Sequence, residues 1–231
     1  MNVALIPARG GSKGIPLKNL QTVNGESLLS RTIKAANNSN KIDLVFVSSE
    51  LEEILDHATS NGAIAIRRHK DLSLDTTSTE PVLIATLTEI EKKIGTLKLM
   101  VLLQCTSAFT TPGEIDIVVN TLEENIEVHD AAFAASDCHS FIWKYDKIKK
   151  EARGVNHTSN SPRERRQDIT DKQYLETGSV YAIKRDSLIN SGSRFGKNPL
   201  PVAVSSINSY LEIDTFEDLK IANLIASNNH I

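Results

Sequence analysis

From Leu99 to Leu103 the chain reads LMVLL, with no polar residue at any alternate position. A strand with one wet face alternates apolar and polar residues. A run that is apolar throughout is buried on both faces, as in a parallel sheet covered by helices on each side. The surrounding segments fit such a sheet. VALIP (3–7), DLVFVSS (43–49), AIAI (63–66), LKLMVLLQ (97–104) and DAAFAAS (130–136) read as strands. Helical spacing lies between them. Leu28, Leu29, Ile33 and Ala36 share a face in SLLSRTIKAAN, and Leu51, Ile54, Leu55 and Ala58 do so before a stop at Gly62. Leu83, Leu87, Ile90 and Ile94 are in phase behind Pro81, and PGEIDIVVNTLEEN (112–125) is a further helix. This alternation predicts an α/β fold with a mainly parallel central sheet flanked by helices.

The alternation stops at residue 138. Residues 138–175 are polar, with Trp143, scattered lysines and the cluster SPRERRQD, and regular patterning resumes at GSVYAIKRD (178–186). A structureless loop of that length is unusual in a compact domain, so the segment is expected to be a β-hairpin or arm inserted in a core formed by residues 1–137 and 176–231. The end of the chain, YLEIDTFEDLKIANLIAS, reads as a strand, an N-cap at Asp214 or Thr215, and a closing helix.

The stretch IPARGGSKGIPLKN (6–19) follows the first strand and so falls at the C-terminal edge of the sheet, where open α/β folds bind ligands. Its glycines allow close backbone approach, and Arg9, Lys13 and Lys18 supply positive charge suited to a polyphosphate. It matches neither GxxxxGK[ST] nor GxGxxG. The net charge of −3 argues against a general nucleic-acid binder. The two cysteines, Cys105 and Cys138, form no CxxC pair, which argues against a disulfide framework or a zinc site. No apolar run approaches the ~18 residues of a membrane span, and the N-terminus lacks the charged region of a signal peptide. A cytoplasmic protein with no membrane partner is therefore expected.

IPARGGSKGIPLKNL resembles the N-terminal signature of the CMP-sialic acid synthetases, the N-acylneuraminate cytidylyltransferases. Further segments in the same order are similar to that family: RRHKDLSLDTTST (67–79), LLQCTSAFTT (102–111), RRQD (165–168), ETGSVYAI (176–183) and LEIDTFEDL (211–219). The resemblance spans the chain. It implies a Rossmann-like nucleotidyltransferase core with a small dimerisation arm at 138–175, a homodimer, and Mg²⁺-dependent transfer of CMP from CTP to a nonulosonic sugar acid, with release of pyrophosphate.

Residue by residue, the resemblance implies a nucleotide site of Ala8, Arg9, Gly11, Ser12, Lys13, Lys18, Asn19, Arg68, Asp75 and Ser78. Lys13, Arg9 and Asp214 are implied as the catalytic groups. Gln104, Arg166, Gln167, Glu176, Thr177 and Lys144 are implied for the sugar acid, with Arg166 on its carboxylate, for which a guanidinium fork is the natural partner. Asp214 and Glu212 are implied as metal ligands. Hard oxygen donors suit Mg²⁺, and two residues two apart on a strand face the same way. Glu212 stands where the family has an aspartate, Cys105 and Ala108 replace prolines, and LETGS replaces an NG-type motif, so the sugar could be N-acetylneuraminate, its deaminated analogue, or a legionaminate- or pseudaminate-type acid. Two other readings remain open: a related nucleotidyltransferase for an eight-carbon keto-deoxy acid or a sugar 1-phosphate, and a non-catalytic sugar-nucleotide-binding module. No histidine stands out as a general base.

Overall fold

The computed structural model describes residues 1–158, 162, 165–168, 172–204 and 211–228, apart from the side chain of Arg166. The chain divides into two compact units, Met1–Ser136 with Glu176–Ile231, and Asp137–Leu175.

The first unit is built on a seven-stranded sheet of order β11-β7-β10-β6-β1-β4-β5. Its strands are β1 (Asn2–Pro7), β4 (Leu44–Ser49), β5 (Ile64–Arg67), β6 (Leu99–Leu103), β7 (Ala131–Cys138), β10 (Gln173–Lys184) and β11 (Pro199–Ala203). A two-stranded ribbon, β2 (Thr22–Val23) with β3 (Glu26–Ser27), lies between β1 and the first helix in sequence. β1 lies between β4 and β6 and is parallel to both: Leu5 is opposite Phe46 on one side and Leu102 on the other. The uninterrupted apolar run of β6 is buried at every position. Successive residues enter different cores, as burial on both faces requires. Ala4, Ile6, Val101 and Leu103 pack with Ile33, Val118 and Leu122, whereas Val3, Leu5, Met100 and Leu102 pack with Leu83, Leu87 and Ile90. The sheet is mixed rather than wholly parallel, because β10 runs antiparallel to β6.

The helices are α1 (Leu28–Asn37), α2 (Glu52–Ser60), α3 (Thr79–Ile94), α4 (Pro112–Glu124), α5 (Arg185–Ser191) and α6 (Phe216–Asn228). Their starts follow from local chemistry. The Ser27 hydroxyl accepts the Ser30 N–H at 3.0 Å to begin α1. Thr111 and Glu114 form a reciprocal capping box at α4, with Pro112 in the first turn. None of the described helices is long and apolar enough to cross a membrane.

Three parts of the core depart from the expected pattern. β10 begins at Gln173, not Gly178, because its first residues are largely exposed and leave no hydrophobic periodicity. β11 carries Pro199 and Pro201, which hide it from a strand reading, yet proline is tolerated on an edge strand and β11 is one. The strand expected around residues 210–214 is not one where it is described: residues 211–214 belong to no strand, although Ile213 is buried and donates its N–H to the Thr106 carbonyl at 2.9 Å.

The second unit holds a hairpin of β8 (Trp143–Asp146) and β9 (Glu151–Gly154). Asp146 accepts the N–H groups of Ile148 and Lys149 at 2.9 and 3.0 Å, which closes the tip. The His157 ring packs edge-on against Phe141 and Trp143 at centroid distances of 5.2 and 4.8 Å.

Candidate active site

The loop after β1 is anchored at several points despite its glycines. Ile15 is fully buried and anchors its middle. The buried Asn19 side chain donates to the Arg9 carbonyl at 2.9 Å and holds the two ends of the loop together. Leu17 adopts a left-handed conformation, φ 46°, immediately before the short turn Lys18–Leu20. That conformation is strained for a branched side chain. It turns the chain so that Lys18 and Asn19 both line a cleft of about 290 Å³.

The cleft lies at the C-terminal ends of β1 and β6, where the sheet's topology places ligands. It brings together Arg9, Ser12, Lys18 and Asn19 from the first loop, Arg68, Asp75 and Ser78 from the segment after β5, and Gln104 at the end of β6. Cations and carboxylates are paired in and around it. Arg9 Nη1 lies 3.1 Å from Asp75, and Lys13 Nζ 3.2 Å from the other oxygen of the same carboxylate. Lys18 Nζ donates to Asp214 Oδ1 at 2.8 Å. Arg68 is buried and pairs with Glu50 at 3.2 Å. Burial lowers the Arg68 pKa against the opposing pull of Glu50, but a guanidinium stays charged at any neutral pH.

Negative charge gathers beside Lys18. Glu212 and Asp214 flank the buried Ile213, and their carboxylates lie near enough to repel one another. Burial raises the Glu212 pKa above the usual carboxylate value. Asp214 and Glu176 raise it further, and Lys18 partly opposes them. Glu212 lies against Gly178, which has φ +73°; a Cβ at Gly178 would strike the Glu212 carboxylate. The glycine of LETGS is thus fixed both by a left-handed backbone and by the carboxylate beside it. Among the described residues no three His, Cys, Asp or Glu side chains converge as a metal site. The donor set nevertheless fits Mg²⁺, which binds through one or two carboxylates together with substrate phosphates, and a dication would relieve the repulsion around Glu212.

Other expected site residues lie elsewhere. Ala8 is fully buried and its N–H is committed to the Ser48 carbonyl at 2.9 Å, so its methyl and amide serve the sheet. Gly11 is exposed with open space around it, and Lys13 is largely exposed and reaches Asp75 from outside the cleft lining. Thr177, expected to serve the sugar acid, has its side chain turned away from solvent. It is 2% exposed, donates to the Ala134 carbonyl at 3.0 Å and meets the Ser179 hydroxyl at 2.8 Å, because its position in β10 turns it into the sheet. Glu176, its neighbour, is exposed and accepts a hydrogen bond from the buried Tyr181 hydroxyl. Lys144 lies on β8 and Gln167 on a short turn, both exposed in the second unit; the Arg166 side chain is outside the described residues. The N-cap of α6 is Thr215, whose hydroxyl accepts the Asp218 N–H at 3.2 Å, so Asp214 is not needed as a cap.

Sequence reasoning missed Glu50 and Ser73. The available signal was a charged residue directly after the apolar strand DLVFVSS, on the edge that carries the ligand loops.

A family model described as Cytidylyltransferase matches residues 3–221. The chain belongs to the cytidylyltransferase family. Its family relatives include the pseudaminic acid cytidylyltransferase of Campylobacter jejuni, 30% identical over 99% of this chain and 97% of that protein. The CMP-N,N'-diacetyllegionaminic acid synthase of Legionella pneumophila is 28% identical over 92% and 90%. The N-acylneuraminate cytidylyltransferase A of Danio rerio is 33% identical over 82% of this chain, but the match spans only 42% of that longer relative. Among solved structures, a CMP:2-keto-3-deoxy-manno-octonic acid synthetase complexed with CTP shares the fold with a TM-score of 0.70 at 18% identity, over 99% of both chains. The cytidylyltransferase core is thus the Rossmann-like α/β fold expected from the sequence.

Proposed function

We propose that this cytidylyltransferase activates a nonulosonic, sialic-acid-like sugar acid with CTP, giving the CMP-sugar and pyrophosphate. The observation that carries the reading is the cleft itself, where Arg9, Lys18 and Arg68 face one space at the C-terminal edge of the sheet beside the Glu212–Asp214 pair. Triphosphate would take over Arg9 and Lys13 from Asp75, and Lys18 from Asp214. Asn19 and Ser78 would hold the nucleoside side of the ligand, and Gln104 and Glu176 the sugar acid. Mg²⁺, held by Asp214 and Glu212, would supply charge neutralisation on the phosphates. The attacking group is the sugar's anomeric hydroxyl and the electrophile the α-phosphorus of CTP. The chain's contribution is chiefly positioning and fixed charge. Relatives named for neuraminate, pseudaminate and legionaminate acids support the nonulosonic class.

We further propose a homodimer formed through the second unit, where Tyr145, Ile148 and Val155 are 58%, 95% and 60% exposed and offer apolar surface that a second copy would cover.

The reading is tested by pyrophosphate release with CTP, UTP, ATP and GTP against N-acetylneuraminate, its deaminated analogue, legionaminate, pseudaminate and an eight-carbon keto-deoxy acid. CTP with one nine-carbon acid should give the highest kcat/KM. Preference for the eight-carbon acid would move the protein to the related nucleotidyltransferase class, and no turnover with any pair would overturn the reading.

A further inference from the structure

Two segments form opposite walls of the cleft: the loop after β1, which carries Arg9 and Ser12, and the segment after β5, which carries Arg68, Asp75 and Ser78. On the exposed side they are joined by Arg9 and Lys13 to Asp75, side chains that are 39%, 81% and 43% exposed. A polyphosphate competes for those cations, so that link is lost when the ligand enters. A second link lies beneath the cleft. Glu50 follows β4, and its side chain is only 11% exposed. Its Oε1 accepts the N–H of Gly10 at 2.7 Å, in the first wall. Its Oε2 accepts Arg68 Nη2 at 3.2 Å and the Ser73 hydroxyl at 2.6 Å, in the second wall. Arg68 Nε donates to the same Ser73 oxygen at 2.8 Å, which closes a ring of three side chains. The glycine at position 10 leaves room for this contact: a Cβ there would displace the Leu51 side chain and crowd Glu50.

We infer that Glu50, which is not among the residues lining the cleft, is the positioning residue that fixes the separation of its two walls and aims Arg68 into it. The inference rests on the reading that the cleft binds CTP. The physical reason is geometric. A carboxylate offers acceptors on two sides, so one rigid side chain can hold a backbone N–H on one segment and a guanidinium on another. With Nε and Nη2 engaged, Arg68 keeps one orientation, and its remaining N–H groups are presented in a fixed direction. Burial would raise the Glu50 pKa, but Ser73, Gly10 and Arg68 together hold it below the usual value, so the carboxylate is ionised wherever the enzyme works.

The test is CTP affinity by calorimetry, with steady-state constants for both substrates, in Glu50→Gln, Glu50→Asp, Ser73→Ala, Arg68→Met and the Glu50→Gln/Arg68→Met double variant. A glutamine keeps the size but replaces one acceptor by a donor, so it cannot serve both walls. The dissociation constant for CTP should rise at least tenfold in Glu50→Gln, with the sugar-acid KM within about twofold of wild type. Glu50→Asp, one methylene shorter, and Ser73→Ala should fall between. In the Arg68→Met background the Glu50 change should cost little further affinity, since most of its effect passes through Arg68. If Glu50→Gln does not fold, Ser73→Ala and Glu50→Asp keep the buried charge and are read by the same ratio of CTP to sugar-acid effects. CTP affinity within twofold of wild type in the folded variants would overturn the inference. So would equal losses for both substrates that multiply with Arg68→Met, the pattern of general destabilisation. Wild-type protein that binds no CTP would instead overturn the functional reading, and the inference with it.

Discussion

Lys18 Nζ lies 2.8 Å from Asp214 Oδ1 and joins the loop after the first strand to the approach to the last helix. The lysine is 16% exposed and the aspartate 67%, so the cation is held and the carboxylate faces solvent. A metal ion could approach the aspartate from that open side while Lys18 turned to a phosphate. Because Thr215 caps α6, Asp214→Asn should leave the melting temperature nearly unchanged. Its kcat should fall by about 100-fold or more, the scale of losing one charged group at a reacting phosphate, and excess chelator should abolish wild-type turnover. Calorimetry and pyrophosphate release check the two halves separately. Normal turnover in Asp214→Asn would remove this residue from the site.

Gly178 tests whether Glu212 is held where the site needs it. Gly178→Ala meets both a positive φ and the Glu212 carboxylate. The backbone term alone is about 1–3 kcal/mol, and displacement of Glu212 should add a loss of activity that a surface alanine would not cause. Thermal denaturation and kcat/KM should therefore fall together. A variant that melts and turns over like wild type would show that Glu212 has room to move without consequence.

The acid limb of stability should report on Glu123. Lys98 at 2.9 Å first, then Lys41 at 3.1 Å and Asn2 at 3.3 Å, outweigh the effect of burial and hold its pKa down from 4.5 to about 2. A depressed folded-state pKa means that the native state binds the proton less readily than the unfolded chain. The stabilisation is then complete above about pH 4.5 and is lost as pH falls toward 2. With its partly exposed lysine partners, screening limits the contribution to about 1–2 kcal/mol. Glu123→Gln should lower the urea midpoint at pH 7 and flatten its dependence between pH 5 and 3, in about that proportion.

Cys105 and Cys138 should separate by reactivity. Cys105 is 3% exposed, and burial pushes its thiol up to about 12, so it offers almost no thiolate at neutral pH. Cys138 is partly exposed. A maleimide should label Cys138 in the native protein and Cys105 only after denaturation, as peptide mass mapping would read. Native labelling of Cys105 would mean that the floor of the cleft opens on the timescale of the reaction.

The fold was legible where burial imposes a pattern. LMVLL at β6 and VALIP at β1 required a sheet covered on both faces, and the periodic leucines of α1 and α3 supplied the covers. The expected site was legible in its charged loop, because Arg9, Lys18 and Asn19 lie together in sequence and stay together in space. What failed depended on contacts distant along the chain. Glu50 is a lone charge whose partners are Gly10, Arg68 and Ser73. Locally it is marked by no more than its place directly after the apolar strand DLVFVSS. The partners of the Thr177 hydroxyl, the Ala134 carbonyl and Ser179, could likewise not be read from the motif that contains it. Leu211–Asp214 has strand-like alternation, yet it belongs to no strand; among the described residues its Ile213 amide meets the Thr106 carbonyl of a loop.

The second unit carries the proposals about assembly and about the sugar carboxylate together. Its hairpin exposes Tyr145 and Ile148, and the Arg166 expected to meet the sugar carboxylate belongs to the same unit. Sedimentation should give a dimer, and charged replacements at Tyr145 and Ile148 should shift it toward monomer. Arg166→Ala should raise the KM for the sugar acid by tenfold or more with little change for CTP, because only the sugar bears that carboxylate. Arg166→Lys should recover part of the loss, lacking the two-pronged contact. Mixing Arg166→Ala chains with Lys13→Ala chains then asks whose site the arginine serves. If it reaches the partner's cleft, one of the two sites in each mixed dimer receives both an intact Lys13 and an intact Arg166, and activity returns. If mixed dimers form and stay as inactive as either parent, the arginine acts within its own chain or not at all.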